Sequence, residues 1–165
     1  MSIEDYLRPV IFLDIDGVLN GHNFNALASS NVIERRCVKL LNWILLETDA
    51  RVVLSSAWRY MSHGGGCTLL GFEYLLRSHG VIAGRLIGAT CLDETQWSTR
   101  GRQIAAFRHR HTSHLARCVA IDDGDEEDTY GLKTCGIPWV RTDGCVGLTL
   151  EDCDRVIEIL RGPEA

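Results

Sequence analysis

The length, composition and charge of this chain bound the class of protein. Its 165 residues fit one domain of ordinary size, and 45% hydrophobic with 24% charged residues is typical of soluble globular proteins. A net charge of −5 argues against a strongly basic nucleic-acid coat, although it leaves room for a local basic patch. No apolar run approaches the roughly 20 residues that cross a membrane.

The cysteines and the N-terminal segment indicate the compartment. The seven cysteines are odd in number and include no Cys-x-x-Cys pair, which argues against a disulfide framework or a zinc ribbon. We therefore expect reduced thiols in a cytoplasmic protein. Residues 1–9 are polar and acidic, with no basic region followed by an apolar stretch, so we expect no secretory signal.

The N-terminal third of the chain predicts two buried strands joined by a helix. Residues 10–13 are a continuous apolar run, which is typical of a parallel strand buried on both faces. Asn31 and Glu34 resemble a capping box, and apolar residues at helical spacing follow as far as Leu45. A second apolar run at 51–55 predicts the next strand.

The remaining elements continue the alternation of helix and strand. In chain order the patterns predict a loop at 63–66, a helix at 69–79 ended by Gly80, a strand within 81–87 interrupted by Gly84, a helix at 99–110, strands at 118–121 and 138–141, and a helix at 149–161. Such alternation predicts a parallel sheet with right-handed crossovers. We therefore predict one Rossmann-like α/β domain over residues 1–165, with three layers and about five strands.

Polar residues cluster where the predicted strands end, and ligands bind beyond the carboxyl ends of an open parallel sheet. The candidate site residues are Asp14 and Asp16, Ser55 and Ser56, Asp122 and Asp123, and the helix-start cations Arg100 and Arg102. Several carboxylates packed together repel unless a divalent cation neutralises them, and magnesium prefers a few carboxylates with water and phosphate oxygens. This composition favours phosphoryl transfer.

The first strand end resembles the first motif of the haloacid dehalogenase-like phosphatase superfamily. The string from Asp14 to Val18 reads Asp-x-Asp-Gly-Val, which matches that motif. The resemblance implies that Asp14 is the nucleophile that forms an aspartyl-phosphate. It also implies that Asp16 is the general acid and base.

The other strand ends are similar to the remaining motifs of that superfamily. Ser55 matches the phosphate-binding hydroxyl of the second motif, and Ser56 is its rival. Arg100 fits the loose third motif, in which a cation holds the phosphate, and Arg102 is the alternative. The four motifs occur in the expected order along nearly the whole chain.

The resemblance further implies a magnesium site. Asp122 and Asp123 match the acidic fourth motif, which holds the metal together with Asp14 and the main-chain carbonyl of Asp16. Without a metal, Asp122 and Asp123 would instead cap the helix that follows them.

The spacing of the motifs leaves little room for a large cap, so we expect an open crevice. Uncapped members of this superfamily tend to act on macromolecules, and some act on small phosphoesters. The pieces Leu19-Asn20 and Ser-Ser-x-Trp-Arg also resemble a subgroup linked to nucleic-acid repair. We therefore expect a magnesium-dependent phosphomonoesterase for nucleic-acid ends or nucleotides. The alternatives are a phosphatase of a small metabolite or a phosphoprotein, and a non-catalytic binding module with this fold.

Two further features have competing interpretations. Residues 108–117 are rich in histidine and arginine and could form a zinc site, a patch for phosphate backbones or a solvated helix end. Trp58 and Arg59 could line the crevice and stack on a base, whereas Trp58 could equally pack in the core.

Overall fold

The described residues form a central sheet of five parallel strands. A computed structural model of the chain describes residues 8–21, 33–56, 58, 69–90, 99–111, 117–124 and 131–162. The strands are β1 (Val10–Leu13), β2 (Arg51–Leu54), β3 (Leu86–Ala89), β4 (Cys118–Asp122) and β5 (Trp139–Arg141). Their order across the sheet is β3-β2-β1-β4-β5, and every neighbouring pair is parallel. The predicted fold class is confirmed.

Helices connect these strands and flank the sheet. They are α1 (Arg35–Thr48), α2 (Leu69–Ser78), α3 (Arg100–His111) and α4 (Leu150–Arg161), and residues 131–134 are also helical. The start of α4 is set by a capping box in which the Thr149 side chain accepts from Asp152 N and the Asp152 carboxylate accepts from Thr149 N. At the start of α1, the Glu34 carboxylate accepts from the main-chain N–H of Gly21 at 3.0 Å. Asn31 of the predicted capping box lies outside the described residues, as does the predicted loop at 63–66.

The third strand begins later than the sequence pattern predicts. Gly84 has a φ of 72° and its N–H donates to the Glu73 side chain at 2.9 Å, so this residue lies in a turn before the strand. Val81 is buried, but its N–H donates to Leu76 O at the end of α2. An apolar residue that packs under a helix end was therefore mistaken for part of the strand.

Apolar side chains cover both faces of the sheet, because successive side chains of a strand point to opposite sides. On one face, Ile11 and Leu13 of β1 pack with buried residues of α1, α2 and α4. On the other face, Val10 and Phe12 pack with α3, where the rings of Phe12 and Phe107 meet edge to face with centroids 5.8 Å apart. This explains the unbroken apolar run of β1, and the three layers fix the carboxyl edge of the sheet.

Candidate active site

The carboxyl ends of the three central strands bring Asp14, Ser55 and Asp122 side by side. In the register of the sheet, the residues that immediately precede them are direct cross-strand partners. The main-chain N–H of Asp14 donates to Ile121 O at 3.0 Å, and that of Ser55 donates to Leu13 O at 2.7 Å. The backbone ladder therefore continues up to these residues and fixes where their side chains begin.

Three carboxylates form a compact acidic cluster at this edge. One oxygen from each of Asp14, Asp122 and Asp123 lies within 4.8 Å of the others. Asp14 and Asp122 are buried, with only 6% and 4% of their surface exposed. Burial raises the pKa of Asp122 to about 6, against the opposing effect of the Arg100 guanidinium. A buried cluster of this kind is costly unless positive charge compensates it.

Arg100 supplies positive charge at the acidic cluster. Its Nη2 donates to Asp14 Oδ2 at 2.7 Å and its Nε lies 2.8 Å from Asp122 Oδ2, so one guanidinium bridges two strand ends. A cation in the first turn of a helix opposes the helix dipole, and here the two carboxylates offset that cost. Arg102, the alternative in the sequence, lies exposed on α3. The structure thus brings Arg100 into the site.

A close contact between two glycines places the start of α3. A Cβ built on Gly101 would lie 1.8 Å from the carbonyl carbon of Gly131, and one built on Gly131 would lie 3.0 Å from Gly101 N. Only two residues without side chains allow these segments to approach so closely. The contact sets the position of the neighbouring Arg100.

Asp16 is oriented differently from the acidic cluster. Its Oδ2 accepts from Trp58 Nε1 at 2.7 Å, and its Oδ1 accepts from Asn20 Nδ2 at 3.0 Å. The Asn20 side chain in turn accepts from the N–H of Gly17 at 2.9 Å, which closes the loop after β1. Within the described ranges, both donors to Asp16 are neutral, whereas Asp14 is bound by a guanidinium. The Asp16 carboxylate is not part of the three-carboxylate group that the described residues form.

Two glycines leave the space that Asp123 occupies. A Cβ on Gly17 would lie 2.0 Å from Asp123 Oδ2, and a Cβ on Gly144 would lie 2.5 Å from the same atom. Gly17 also has a φ of 67°, a conformation that other residues rarely adopt. Thr142 ties the two loops together, because its hydroxyl donates to Gly17 O at 2.8 Å and its N–H donates to Asp122 O at 3.2 Å.

The two predicted serines have different surroundings. The Ser55 Oγ is buried, and among the described residues it has no hydrogen-bond partner. Burying a hydroxyl without a hydrogen-bond partner is costly unless a ligand forms a hydrogen bond with it. The Ser56 Oγ accepts from the main-chain N–H of Trp58 at 3.2 Å and so stabilises the turn after β2. These contacts favour Ser55 over Ser56 as a donor to a ligand.

Sequence reasoning missed Thr142, Gly144 and Gly101, and it left the role of Trp58 open. The Trp58 ring is 7% exposed and packs in the core, which leaves little surface for base stacking, but its N–H reaches Asp16. Thr142 and Gly144 follow β5, and their position after a strand was the signal that pointed to them. Gly101 in the first turn of a predicted helix was a second signal, because glycine disfavours helix interiors.

Other predicted contacts are only partly described. Arg59 and residues 112–116 of the stretch from 108 to 117 lie outside the described residues, whereas Arg117 is described and donates from Nη1 to Leu160 O at 3.0 Å. The part within α3 includes exposed His109 and Arg110, while the His111 ring packs on Phe107 with centroids 4.5 Å apart. No described helix is long and apolar enough to cross a membrane.

The acidic cluster fits a divalent metal ion. Three carboxylates face one guanidinium there, so negative charge is in excess among these side chains. The side-chain atoms that this cluster offers as metal ligands are all carboxylate oxygens, which suit a hard cation such as magnesium. Burial raises the pKa of Asp122, with a smaller contribution from the Asp14 charge, and a bound metal ion would oppose this effect by favouring the charged form. Asp14, Asp122 and Asp123 would hold such an ion.

Comparison with known families gives one match that covers most of the chain. The sequence model of the family described as "HAD domain in Swiss Army Knife RNA repair proteins" matches residues 10–153. This range contains every residue of the candidate site, and the match confirms the resemblance to the haloacid dehalogenase-like superfamily. A search of curated proteins found no match.

Proposed function

This chain belongs to the family of HAD domains found in Swiss Army Knife RNA repair proteins, and on that premise we propose that it is a magnesium-dependent phosphomonoesterase acting on phosphorylated nucleic-acid ends. Membership of the HAD family supports a phosphoesterase of HAD type. The observation that carries the proposal is the bridge from Arg100 to Asp14 and Asp122 within the acidic cluster. It combines a potential nucleophile, a cation for phosphoryl oxygens and carboxylates for a metal ion in one place.

Asp14 is the nucleophile in this proposal. A carboxylate oxygen of Asp14 attacks phosphorus, and the bond from phosphorus to the leaving oxygen breaks. The second carboxylate oxygen of Asp14, Oδ1, accepts from the N–H of Ile15 at 2.6 Å, which fixes the rotation of the carboxylate. Water then attacks the aspartyl-phosphate, the bond from phosphorus to Asp14 breaks, and inorganic phosphate leaves.

Asp16 transfers the protons. In the first step it gives a proton to the leaving oxygen, and in the second it takes one from the attacking water, so its protonation state is restored after each turnover. Asp16 is partly exposed, and one residue separates it from the nucleophile in sequence. Its two observed hydrogen bonds use one lone pair on each oxygen, so lone pairs that can bind the proton remain.

Arg100 and Ser55 hold the phosphoryl oxygens. The guanidinium has five N–H donors, and its two contacts with Asp14 and Asp122 leave others for phosphate. The buried Ser55 hydroxyl gains a partner when phosphate binds. Donors placed in advance stabilise charge that develops in the transition state. Bound magnesium would neutralise the carboxylates and the phosphoryl group.

The family description supports a nucleic-acid substrate, because it assigns these domains to RNA repair proteins. The exposed cation Arg102 lies two residues from Arg100 at the start of α3 and supplies charge for a phosphate backbone. The expected absence of a large cap agrees with a macromolecular substrate and stays a prediction. Contacts remote from the reacting phosphate would then raise kcat/KM.

Substitution of the nucleophile tests this proposal. Asp14→Asn should lower kcat at least about 10³-fold, because an amide cannot replace an attacking carboxylate. Asp154→Asn, an exposed acid of α4, is the matched control and should retain full activity. The assay compares 3′- and 5′-phosphorylated RNA and DNA oligonucleotides, nucleotides, an aryl phosphate, a sugar phosphate and a phosphopeptide. Each is measured at low and at moderate salt, with magnesium and with excess chelator.

The outcomes separate the parts of the proposal. Activity that survives Asp14→Asn within about tenfold excludes covalent catalysis at this residue. Full activity in chelator excludes the metal requirement. Equal kcat/KM for an oligonucleotide and an aryl phosphate, with no dependence on salt, excludes a nucleic-acid substrate and favours a small-molecule phosphatase.

A further inference from the structure

The contact between Trp58 and Asp16 has a consequence for proton transfer. Resting on the function proposed above, we infer that Trp58 is a positioning residue, whose indole N–H holds the Asp16 carboxylate outside the acidic cluster and aimed for proton exchange with the leaving group. The bond is short, with Trp58 Nε1 at 2.7 Å from Asp16 Oδ2. It joins residues 42 positions apart in sequence.

The anchor of this hydrogen bond is rigid. Trp58 is 7% exposed and belongs to the larger apolar cluster, together with Leu13 and Leu54 at the ends of β1 and β2. Its main-chain N–H is bound by Ser56 Oγ at 3.2 Å, which fixes the turn that follows β2. The indole therefore projects its one polar atom from the core toward Asp16, and a side chain locked by packing holds its partner accurately.

The second donor to Asp16 has a different role. Asn20 lies four residues from Asp16 in the same loop, and its side chain also accepts from the N–H of Gly17. Asn20 therefore moves with Asp16 if the loop moves. Trp58 is attached to β2, so it alone of these two donors fixes the carboxylate relative to the sheet. Loss of the indole N–H would leave the Asp16 carboxylate free to rotate away from its observed orientation.

The chemistry of indole suits a group that must gain and lose a proton. The N–H donates a hydrogen bond, accepts none and does not ionise near neutral pH, so it cannot take the proton from Asp16. It is also neutral, so it orients the carboxylate through one directional hydrogen bond and adds no charge beside it. Arg100, by contrast, binds Asp14 with a charged donor.

Leaving-group dependence tests this inference without reference to stability. A 2,4-dinitrophenyl leaving group departs without a proton, whereas a ribose hydroxyl of an oligonucleotide needs one. Trp58→Phe keeps an aromatic ring and removes the N–H. We expect kcat/KM to fall at least about tenfold for the oligonucleotide phosphate, which is part of the about 10²–10⁴ that general acid catalysis contributes as a whole, and less than about threefold for 2,4-dinitrophenyl phosphate. The ratio kcat/KM is used because it covers the step in which the leaving group departs.

Two variants calibrate the result. Trp43→Phe makes the same substitution in a residue of α1 that packs against the same apolar cluster, and it should change neither kcat/KM. Asp16→Asn should also lower kcat/KM more for the oligonucleotide phosphate than for 2,4-dinitrophenyl phosphate, and the fall should be larger than in Trp58→Phe. Equal losses for both substrates in Trp58→Phe, or no loss, would overturn the inference even where Asp14→Asn and Asp16→Asn behave as proposed. Activity that survives Asp14→Asn instead overturns the function itself.

A spectroscopic measurement keeps the inference testable if Trp58→Phe does not fold. In the unmodified chain, the indole ¹H–¹⁵N signal of Trp58 should lie downfield of the other tryptophan signals, because its partner is a carboxylate. In Asp16→Asn this signal should move more than those of the other three tryptophans. A Trp58 signal that does not respond to Asp16→Asn would show that the hydrogen bond does not form in solution.

Discussion

The contact between Gly101 and Gly131 predicts that a single methyl group would displace the proposed phosphate-binding cation. In Gly101→Ala, the new Cβ would lie 1.8 Å from the carbonyl carbon of Gly131 and 2.3 Å from Leu132 N. Both are backbone atoms that cannot rotate away. The segments must separate by about 1.7 Å to reach an ordinary carbon–carbon contact of about 3.5 Å. Arg100 is the adjacent residue and moves with the start of α3.

Gly101→Ala should lower kcat/KM strongly and the free energy of unfolding only modestly. Arg100 contacts Asp14 at 2.7 Å and Asp122 at 2.8 Å, and a shift of about 1.7 Å breaks both hydrogen bonds. Misplacement by about 1 Å can cost about 100-fold in rate, so we expect kcat/KM to fall about 100-fold. Overpacking costs about 1–3 kcal/mol, and replacing glycine by alanine in a helix returns up to about 1 kcal/mol.

The assay compares kcat/KM with the free energy of unfolding in urea. Gly84→Ala is the control, because its left-handed backbone makes alanine costly while no described atom lies within 4 Å of the new Cβ. It should lose stability and keep kcat/KM. The double variant with Gly101→Ala and Arg100→Ala should have a kcat/KM only slightly below that of Arg100→Ala alone. Wild-type kcat/KM in Gly101→Ala, or full additivity in the double variant, would refute the argument.

Two further predictions concern groups away from the site. The hydrogen bond from Arg85, followed by the charges of Arg85 and Arg8, holds the pKa of the Asp49 carboxyl below its usual value of 3.8. The ionised Asp49 carboxylate therefore stabilises the fold above pH 3.8, and this stabilisation is lost as the pH falls below 3.8. Asp49→Asn should therefore reduce the free energy of unfolding by up to about 1 kcal/mol at pH 7, with a smaller difference near pH 3.5 in urea titrations, since Asp49 is largely exposed. An equal difference at both values would contradict this. Cys145 is exposed, whereas burial raises the pKa of the Cys153 thiol to about 12. Brief alkylation of the folded protein should thus label Cys145 well before Cys153 when peptides are analysed by mass spectrometry, and equal labelling would contradict the packing of α4.

Strand ends could be read from the sequence because burial of a parallel sheet leaves a clear signal. Unbroken apolar runs predict β1, β2 and β4, and the parallel register then aligns the residues that follow them. The proximity of Asp14, Ser55 and Asp122 follows from that register alone. No knowledge of loops or side-chain rotamers was needed to predict it.

The choice between Arg100 and Arg102 could not be made in the same way. Both lie in the first turn of α3, and neither propensity nor charge distinguishes them. Residues two apart on a helix point in widely different directions, because each residue turns by about 100°. Which of them faces the sheet depends on the rotation of α3 about its axis. That rotation is set by the buried Ile104 and Phe107 and by the Gly101 contact, which are tertiary facts.

The different surroundings of Asp14 and Asp16 show why a motif alone does not assign a role. The two acids are separated by one residue, and their local sequence offers the same carboxylate twice. Each acid has a local donor and one donor from a distant element, which is a guanidinium of α3 for Asp14 and the indole N–H of Trp58 after β2 for Asp16. A charged donor stabilises the ionised form more than a neutral donor does. The proposed division of labour within the motif therefore depends on elements 42 and 86 residues away, and it would change if either element packed differently.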